Sequence, residues 1–145
     1  MTMGAGMRRI WMALAVSSLA AFLTIPAAAQ TADCRAGQKA QAVAELLFGR
    51  NIGNRLGVSQ AQWTRFLDRE ITPRFPDGLT VLDARGQWRD PSRGIVVHEP
   101  SKVVQIVLPG RDDDQDRLDA VAKAYKSRFH QQSVAIVVRP ACVSF

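Results

Sequence analysis

The side chains that could do chemistry lie close together in one stretch of the chain, residues 74–105. Arg74 follows a predicted helix, and the adjoining predicted hairpin carries Thr80, Trp88, Glu99, Ser101 and Gln105. Glu99, Ser101 and Gln105 would share one face of a strand if the alternation were unbroken. A glutamate beside an arginine, a tryptophan and amide groups could form a polar, aromatic pocket for a small ligand. In a catalytic version, Glu99 would be the general acid or base and Arg74 the anion clamp.

The same residues could also serve the structure alone. Arg74 would then pair with Glu99 or Asp77, and Trp88 would cover the edge of the core. Gln131 and Gln132, at the entry to the last predicted strand, have two similar interpretations, since their amides could cap a helix or face a ligand. We favour capping for the two glutamines and the structural role for the 74–105 stretch.

Motifs for metal, phosphate or nucleophilic chemistry are missing from the sequence. His98 and His130 are far apart in the chain. Glu99 adjoins His98, and because neighbouring residues of a strand point to opposite faces, His98 and Glu99 cannot easily bind one metal ion together. Zinc needs three or four converging ligands, and we therefore expect no metal site. Neither a nucleophile motif nor a phosphate-binding glycine loop is present. We expect no cofactor, and the sequence leaves open whether the protein is an enzyme.

Length and composition limit the class of protein. The chain has 145 residues, which suits one domain, and its 47% hydrophobic and 22% charged residues are typical of a folded protein. The net charge of +6 would suit a nucleic acid, but the basic residues are spread along the sequence. Because we also expect export, we predict no nucleic-acid partner.

The first 29 residues have the features of an export signal. Two arginines precede a run of small and apolar residues that ends at Pro26, and three alanines supply a cleavage site after Ala29. We predict a signal peptide over 1–29, a loose segment over 30–41 and a single α+β domain over 42–145. The cleaved protein would be periplasmic or secreted, with no permanent membrane span.

Two alternatives to a cleaved signal stay open, a retained membrane anchor and lipidation at Cys34. The chain holds two cysteines, Cys34 and Cys142, and in an oxidising compartment such a pair favours one disulfide over two free thiols. This bridge would close a loop of about a hundred residues, worth up to about 4.7 kcal/mol in the chain-entropy model.

The secondary structure that must position these residues is predicted as β-α-β-β-α-β. Strands are expected over 42–48, over 79–83 with a turn at Arg85-Gly86 and an extension through 87–89, over 95–108 with a bulge or bend at Pro100, and over 133–138. The first helix begins with a capping box formed by Ser59 and Gln62 and ends before Pro73. The second helix runs from about 113 to 130, with a buried stripe formed by Leu118, Val121, Ala122, Tyr125 and Phe129.

This order of elements is the ferredoxin-like α+β fold, a four-stranded antiparallel sheet with two helices on one face. Its first and last strands are antiparallel neighbours, which would bring Cys34 and Cys142 to the same edge of the sheet. The opposite face of the sheet must meet solvent, a ligand or a second subunit.

Several separated motifs resemble a known family. They are the runs 71–83, 86–89, 99–104, 125–126 and 128–134, with Phe48-Gly49 and Trp63 upstream. Together they are similar to the bacterial secreted family catalogued as domain of unknown function 3574, over about 46–145. The resemblance implies a small exported α+β domain and no known activity, substrate or cofactor.

We interpret the sequence as an exported, non-catalytic binding or interaction module whose partner is a small ligand or an envelope protein. The alternative is a small enzyme of the dimeric α+β barrel kind, in which two open sheet faces enclose a pocket. A homodimer belongs to that alternative.

Overall fold

The computed structural model of the protein describes residues 33–53 and 55–145. The elements in chain order are strands β1 (Lys39–Gly49), β2 (Asn51–Ile52) and β3 (Arg55–Leu56), helix α1 (Gln60–Phe66) with a π-helical turn (Leu67–Ile71), strands β4 (Thr80–Arg89) and β5 (Val96–Leu108), helix α2 (Asp114–Phe129) and strand β6 (Ala135–Val143). The predicted signal peptide and its cleavage site lie outside the described residues.

Four long strands form one antiparallel sheet in the order β4-β5-β1-β6. The register is regular across the sheet, as Glu45 of β1 shows: it lies opposite Gln105 on β5 and opposite Val137 on β6. The short strands β2 and β3 pair with each other, directly after β1. The four-stranded order confirms the predicted ferredoxin-like α+β fold, including the antiparallel contact between its first and last strands.

The hydrophobic core lies between the helices and one face of the sheet. Its fully buried side chains alternate along β1 and β5 and recur on both helices, and they include Leu46, Phe48, Trp63, Phe66, Ile106, Val121 and Tyr125. The aromatic rings meet edge to face, with the Phe48 ring centroid 5.1 Å from that of Trp63 and 4.8 Å from that of Tyr125. Because both helices cover this face, the other face is left open in the described part of the chain.

Helix α1 begins with the predicted capping box. The Ser59 hydroxyl accepts a hydrogen bond from the Gln62 backbone, and the Gln62 side chain accepts one from the Ser59 backbone at 2.8 Å. Trp63 and Phe66 then face the core. The π-helical turn ends at Ile71, two residues before Pro73, which has no N–H with which to continue the helical hydrogen bonds.

Helix α2 buries the predicted stripe of Leu118, Val121, Ala122, Tyr125 and Phe129. In its first turn, the Asp114 carboxylate accepts hydrogen bonds from the backbone N–H groups of Gly110 and Arg111, which precede the helix. The helix ends at His130, whose φ of 52° is left-handed. Within residues 33–53 and 55–145, neither helix has the length and apolar character needed to cross a bilayer.

The predicted turn at Arg85-Gly86 is wrong, because β4 continues through both residues to Arg89. Gly86 lies directly opposite Glu99 on β5. A Cβ atom on Gly86 would come within 2.6 Å of the Ser101 hydroxyl oxygen. The glycine therefore makes room for a side chain of the neighbouring strand and does not reverse the chain.

The predicted bulge or bend at Pro100 is also wrong, since β4 and β5 keep one register through the pair Arg85 and Pro100. The Pro100 carbonyl accepts a hydrogen bond from the Arg50 backbone at 3.0 Å, just past the end of β1. The N–H and C=O of one residue in an antiparallel strand face the same neighbour. The missing N–H of Pro100 therefore faces the end of β1, and no hydrogen bond to β4 is lost.

A disulfide joins Cys34 to Cys142, as predicted, across 108 residues of sequence. Strand β1 begins at Lys39, inside the segment expected to be loose, because β6 continues to Val143 and pairs with it. The bridge thus ties the residues before β1 to the end of β6.

Replacing both cysteines by serine should lower the free energy of unfolding by about 2–4 kcal/mol, because the bridge restricts the unfolded chain. Urea unfolding of the wild type and of the Cys34→Ser, Cys142→Ser variant measures the difference. Reduced wild-type protein should match the variant. Equal midpoints for the oxidised and reduced wild type would contradict a stabilising bridge.

Candidate functional site

A pocket of about 360 Å³ opens on the uncovered face of the sheet. This volume lies in the usual range for small-molecule sites. Its floor is formed by the adjoining ends of β1, β4 and β5 and the start of β6, and its walls by the segments after β1, β4 and α2. Trp88, Glu99 and Ser101 line the pocket from the open face of the strands, and the neighbouring β4 residues Arg85 and Gln87 also contribute to its lining.

The pocket exists because the side chains on this part of the sheet are small. Gly49, Ala84, Gly86 and Ala135 all line it. In the sheet register, Ala84 and Gly49 lie on either side of Ser101, and Gly86 lies beside Glu99. The side chains of Glu99 and Ser101 on β5 therefore lie in a trough of the sheet that is bordered by glycine and alanine residues.

The Glu99 carboxylate is fixed at the end of β1. Its Oε2 atom accepts a hydrogen bond from the backbone N–H of Asn51 at 3.1 Å. A Cβ atom on Gly49 would lie 2.5 Å from each carboxylate oxygen, so the carboxylate occupies the space that any other residue would fill. Asn51 is itself held by its side-chain amide, which donates to the His98 carbonyl at 3.3 Å.

Tyr125 connects this floor to the helix side of the sheet. Its hydroxyl donates a hydrogen bond of 2.8 Å to the Gly49 carbonyl. Burial raises the pKa of Tyr125 well above its ordinary value; the charge of Arg50 opposes that rise and the charge of Glu99 adds to it. The hydroxyl therefore remains protonated and keeps its role as a donor.

One wall of the pocket is the short segment 51–53, which begins the β2–β3 hairpin. The hairpin is closed by Arg50, whose carbonyl accepts the N–H groups of Gly57 and Val58 and whose Nε donates to the Val58 carbonyl at 3.0 Å. From the other side, the Gln131 side chain donates to the Asn51 carbonyl at 2.8 Å. Gln131 thus joins the end of α2 to this wall and also lines the pocket.

Asp90 organises the turn that forms the opposite rim. One carboxylate oxygen accepts from the Ser92 backbone at 2.9 Å and from the Ser92 hydroxyl at 2.6 Å, and the other accepts from the Arg93 guanidinium at 2.7 Å. These hydrogen bonds, from Ser92 first and then from Arg93, lower the pKa of Asp90 to about 2. Both oxygens of Asp90 are therefore engaged within the turn.

The structure brings together three of the residues that the sequence grouped, namely Trp88, Glu99 and Ser101. Thr80 and Gln105 lie opposite each other farther along the same face, outside the pocket. The Gln105 amide donates to Glu45 at 3.1 Å, and Glu45 also accepts from Arg139 at 2.9 Å.

Arg74 does not belong to this site. Its guanidinium donates to the Glu70 carboxylate at 3.0 Å, and its carbonyl accepts from Arg117 of α2. Asp77 pairs instead with Arg111 at 2.8 Å. The expected pairing of Arg74 with Glu99 or Asp77 is wrong, as is its grouping with the pocket residues, because Arg74 lies on the helix side of the sheet and Glu99 on the open side.

No cluster of three or more histidine, cysteine, aspartate or glutamate side chains within residues 33–53 and 55–145 is placed to hold a metal ion. His130 lines the pocket from the end of α2. His98 is exposed and, by alternation along β5, faces away from Glu99.

Three important residues of the site were missed in the sequence. They are Gly49, Asn51 and Asp90. The Asp-Pro-Ser-Arg-Gly run at 90–94 was the usable signal, since an aspartate that begins such a turn accepts hydrogen bonds from the residues after it. Nothing in the local sequence marks the contact of Gly49 with Glu99, which is made between strands.

Comparisons with known proteins give a family and a likeness in fold. A family model described as Protein of unknown function (DUF3574) matches residues 43–145. A search of curated proteins finds no match.

Among solved structures, a phage SAM lyase in complex with S-methyl-5'-thioadenosine is 16% identical with a TM-score of 0.59, over 81% of this chain and 97% of that chain. The same kind of lyase in its apo state is 17% identical with a TM-score of 0.54, over 73% of this chain and 90% of that chain. CutA from Synechococcus elongatus is 11% identical with a TM-score of 0.48, over 74% of this chain and 83% of that chain. At these identities, the likeness to the lyase concerns the fold alone.

Gly49→Ala should lower the free energy of unfolding by about 1–3 kcal/mol, because the new methyl group meets the Glu99 carboxylate. In a Glu99→Ala background the same change should be neutral or stabilising by up to about 1 kcal/mol, since alanine restricts the unfolded chain. Urea unfolding of the four proteins in this double-mutant cycle gives the coupling. An equal cost of Gly49→Ala in both backgrounds would show that the contact does not constrain the strand.

Asp90→Asn should destabilise the fold at neutral pH, and the difference from the wild type should shrink in acid. The lowered folded pKa means that the ionised form stabilises the fold fully above about pH 4, with the benefit lost as the pH falls through about 2. Denaturant unfolding of both proteins between pH 7 and pH 2 tests this dependence. A stability difference that stays constant over that range would be incompatible with it.

Proposed function

Because the chain belongs to the family described as Protein of unknown function (DUF3574), its activity has to be inferred from its own site, and we propose that it is an exported domain that binds a small molecule in the open-face pocket. The observation that carries the proposal is the Glu99 carboxylate, held in place inside a cavity of about 360 Å³. Ligand sites typically combine such a cavity with a few fixed polar groups.

The arrangement of the pocket favours binding, because its polar groups are held before any ligand arrives. The backbone of Asn51 fixes Glu99, and Gln131 fixes Asn51. A site whose groups are already in position spends less free energy on ordering when the ligand binds. Trp88, which is partly buried in the lining, adds an aromatic surface to these polar groups.

Export is supported by the disulfide between Cys34 and Cys142, since such bonds persist in oxidising compartments. We propose that the protein is periplasmic or secreted after cleavage near Ala29. An envelope protein is the alternative partner for the open face, which presents the exposed side chains of Leu47, Leu82 and Val137 around the pocket.

Binding without catalysis is supported by the way the acidic groups of the pocket are used. Asp90 gives both oxygens to its own turn, so Glu99 is the carboxylate of the described lining that is open to a ligand. A reaction that needs two cooperating carboxylates would find only one available here.

An enzyme is the second candidate, favoured by the likeness in fold to a lyase crystallised with S-methyl-5'-thioadenosine. In that candidate Glu99 acts as the acid or base, and a second copy of the chain covers the open face. Incubation with S-adenosylmethionine, followed by chromatography for S-methyl-5'-thioadenosine, tests it directly. Turnover that Glu99→Gln abolishes would support the enzyme, and we expect none.

Ala84→Phe should remove ligand binding, because the ring would fill the trough beside Ser101. Native mass spectrometry of the protein purified from the bacterial envelope should show added small-molecule mass on the wild type and none on this variant. Thr80→Phe is the matched control, since Thr80 lies on the same face of β4 outside the pocket. That control should keep the added mass.

Added mass that survives in Ala84→Phe would place the ligand elsewhere, and a wild type without added mass would count against a tightly bound small ligand. The same spectra report the N-terminus and the subunit count. Added mass that appears on the dimer and not on the monomer would support the second candidate, the dimeric enzyme.

A further inference from the structure

We propose that the ligand of the pocket is an organic cation with a flat apolar part, which binds with its positive charge at Glu99 and its flat part against Trp88. This inference rests on the proposed function, because it names the class of ligand for the same pocket.

The first reason to expect a cationic ligand is the negative charge of Glu99, which has no ion-pair partner in the described residues. Other carboxylates on this side of the sheet have cationic partners: Glu45 is paired with Arg139 at 2.9 Å and Asp90 with Arg93 at 2.7 Å. Glu99 takes part in no ion pair within residues 33–53 and 55–145. Its Oε2 accepts the Asn51 N–H, and its Oε1 has no hydrogen-bond donor in the same part of the chain. A partly buried carboxylate in this situation is stabilised by a cation that enters the pocket.

The second reason is that the Glu99 carboxylate is held in a fixed position in the pocket. The close approach of its carboxylate to Gly49 and the bond from Asn51 hold it where it meets a ligand. Arg85 and Arg93 both contribute to the pocket lining, but their placement offers little to a competing anion. The guanidinium of Arg93 is engaged by Asp90, and Arg85 lies, by alternation, on the opposite side of β4 from Ala84 and Gly86.

The indole of Trp88 supplies the second half of the recognition. Trp88 lies opposite Val97, two register positions from the pair of Gly86 and Glu99 and on the same face of the sheet. Such diagonal neighbours have Cα atoms about 7–8 Å apart, which one small ligand can span. An aromatic face near a carboxylate attracts a cation through the ring quadrupole as well as stacking on its flat part.

Three probes of nearly equal shape test the charge preference: benzamidine is a flat cation, benzamide its neutral analogue and benzoate its anionic analogue. Titration calorimetry at pH 8 should give benzamidine an affinity at least about ten-fold above that of benzamide. Benzoate should bind most weakly of the three. The wild type alone gives this ranking, so the test does not depend on the folding of any variant.

Glu99→Gln should remove the preference for benzamidine over benzamide, because it keeps the shape and the acceptor for Asn51 but not the charge. Glu45→Gln is the matched control. It removes the same charge from the same sheet face, outside the pocket lining and where the carboxylate is already paired. It should leave the affinity for benzamidine unchanged.

Equal affinities for benzamidine and benzamide, or tighter binding of benzoate, would overturn the cation preference. If Ala84→Phe abolished that binding, the pocket would still be a ligand site and only its proposed ligand class would fail. Absence of benzamidine binding up to 10 mM would also overturn the inference, whereas the added mass on the purified protein decides the proposed function separately.

Discussion

The hydrogen bond from Tyr125 to the Gly49 carbonyl, 2.8 Å long, connects the covered and the open side of the sheet. On the covered side, the Tyr125 ring lies 4.8 Å from that of Phe48 and 5.1 Å from that of Phe66 between ring centroids, at the centre of the aromatic core. On the open side, Gly49 gives its vacant side-chain position to the Glu99 carboxylate. The packing of the helices therefore fixes the end of β1, on which the pocket is built. A change in the core would shift Gly49 and the Glu99 carboxylate beside it.

Three carboxylates near the open face show how structure and function are divided there. Glu45 is paired with Arg139 and also accepts a hydrogen bond from Gln105, and both contacts lower its pKa; Asp90 is held by Ser92 and Arg93. These two stabilise the sheet and a turn. Glu99 differs because its constraint comes from a backbone N–H and a glycine, neither of which cancels its charge. The unbalanced charge falls inside the cavity, and that coincidence is the basis of the functional argument.

Features set by neighbouring residues were predicted correctly from the sequence. The capping box of Ser59 and Gln62, the buried stripe of α2 and the order of elements all follow from local spacing, and the order placed Cys34 near Cys142. The errors came from residues whose role depends on another strand. Gly86 and Pro100 have the local character of a turn and a bulge, yet each is accommodated in an unbroken strand by its partner across the sheet. Arg74 was grouped with Glu99 by nearness in sequence, although the helix it follows lies behind the sheet.

The central claim is that the open-face pocket holds a small molecule, and the indole N–H signals in a nitrogen-15 NMR spectrum test it most directly. Trp63 lies in the core and Trp88 in the pocket, so the described chain contains its own internal reference. The protein purified from the envelope would be compared with the same protein after unfolding, dialysis and refolding with the disulfide intact. We expect the Trp88 signal to shift when the ligand is removed and the Trp63 signal to stay in place. Identical spectra before and after removal would contradict an occupied pocket.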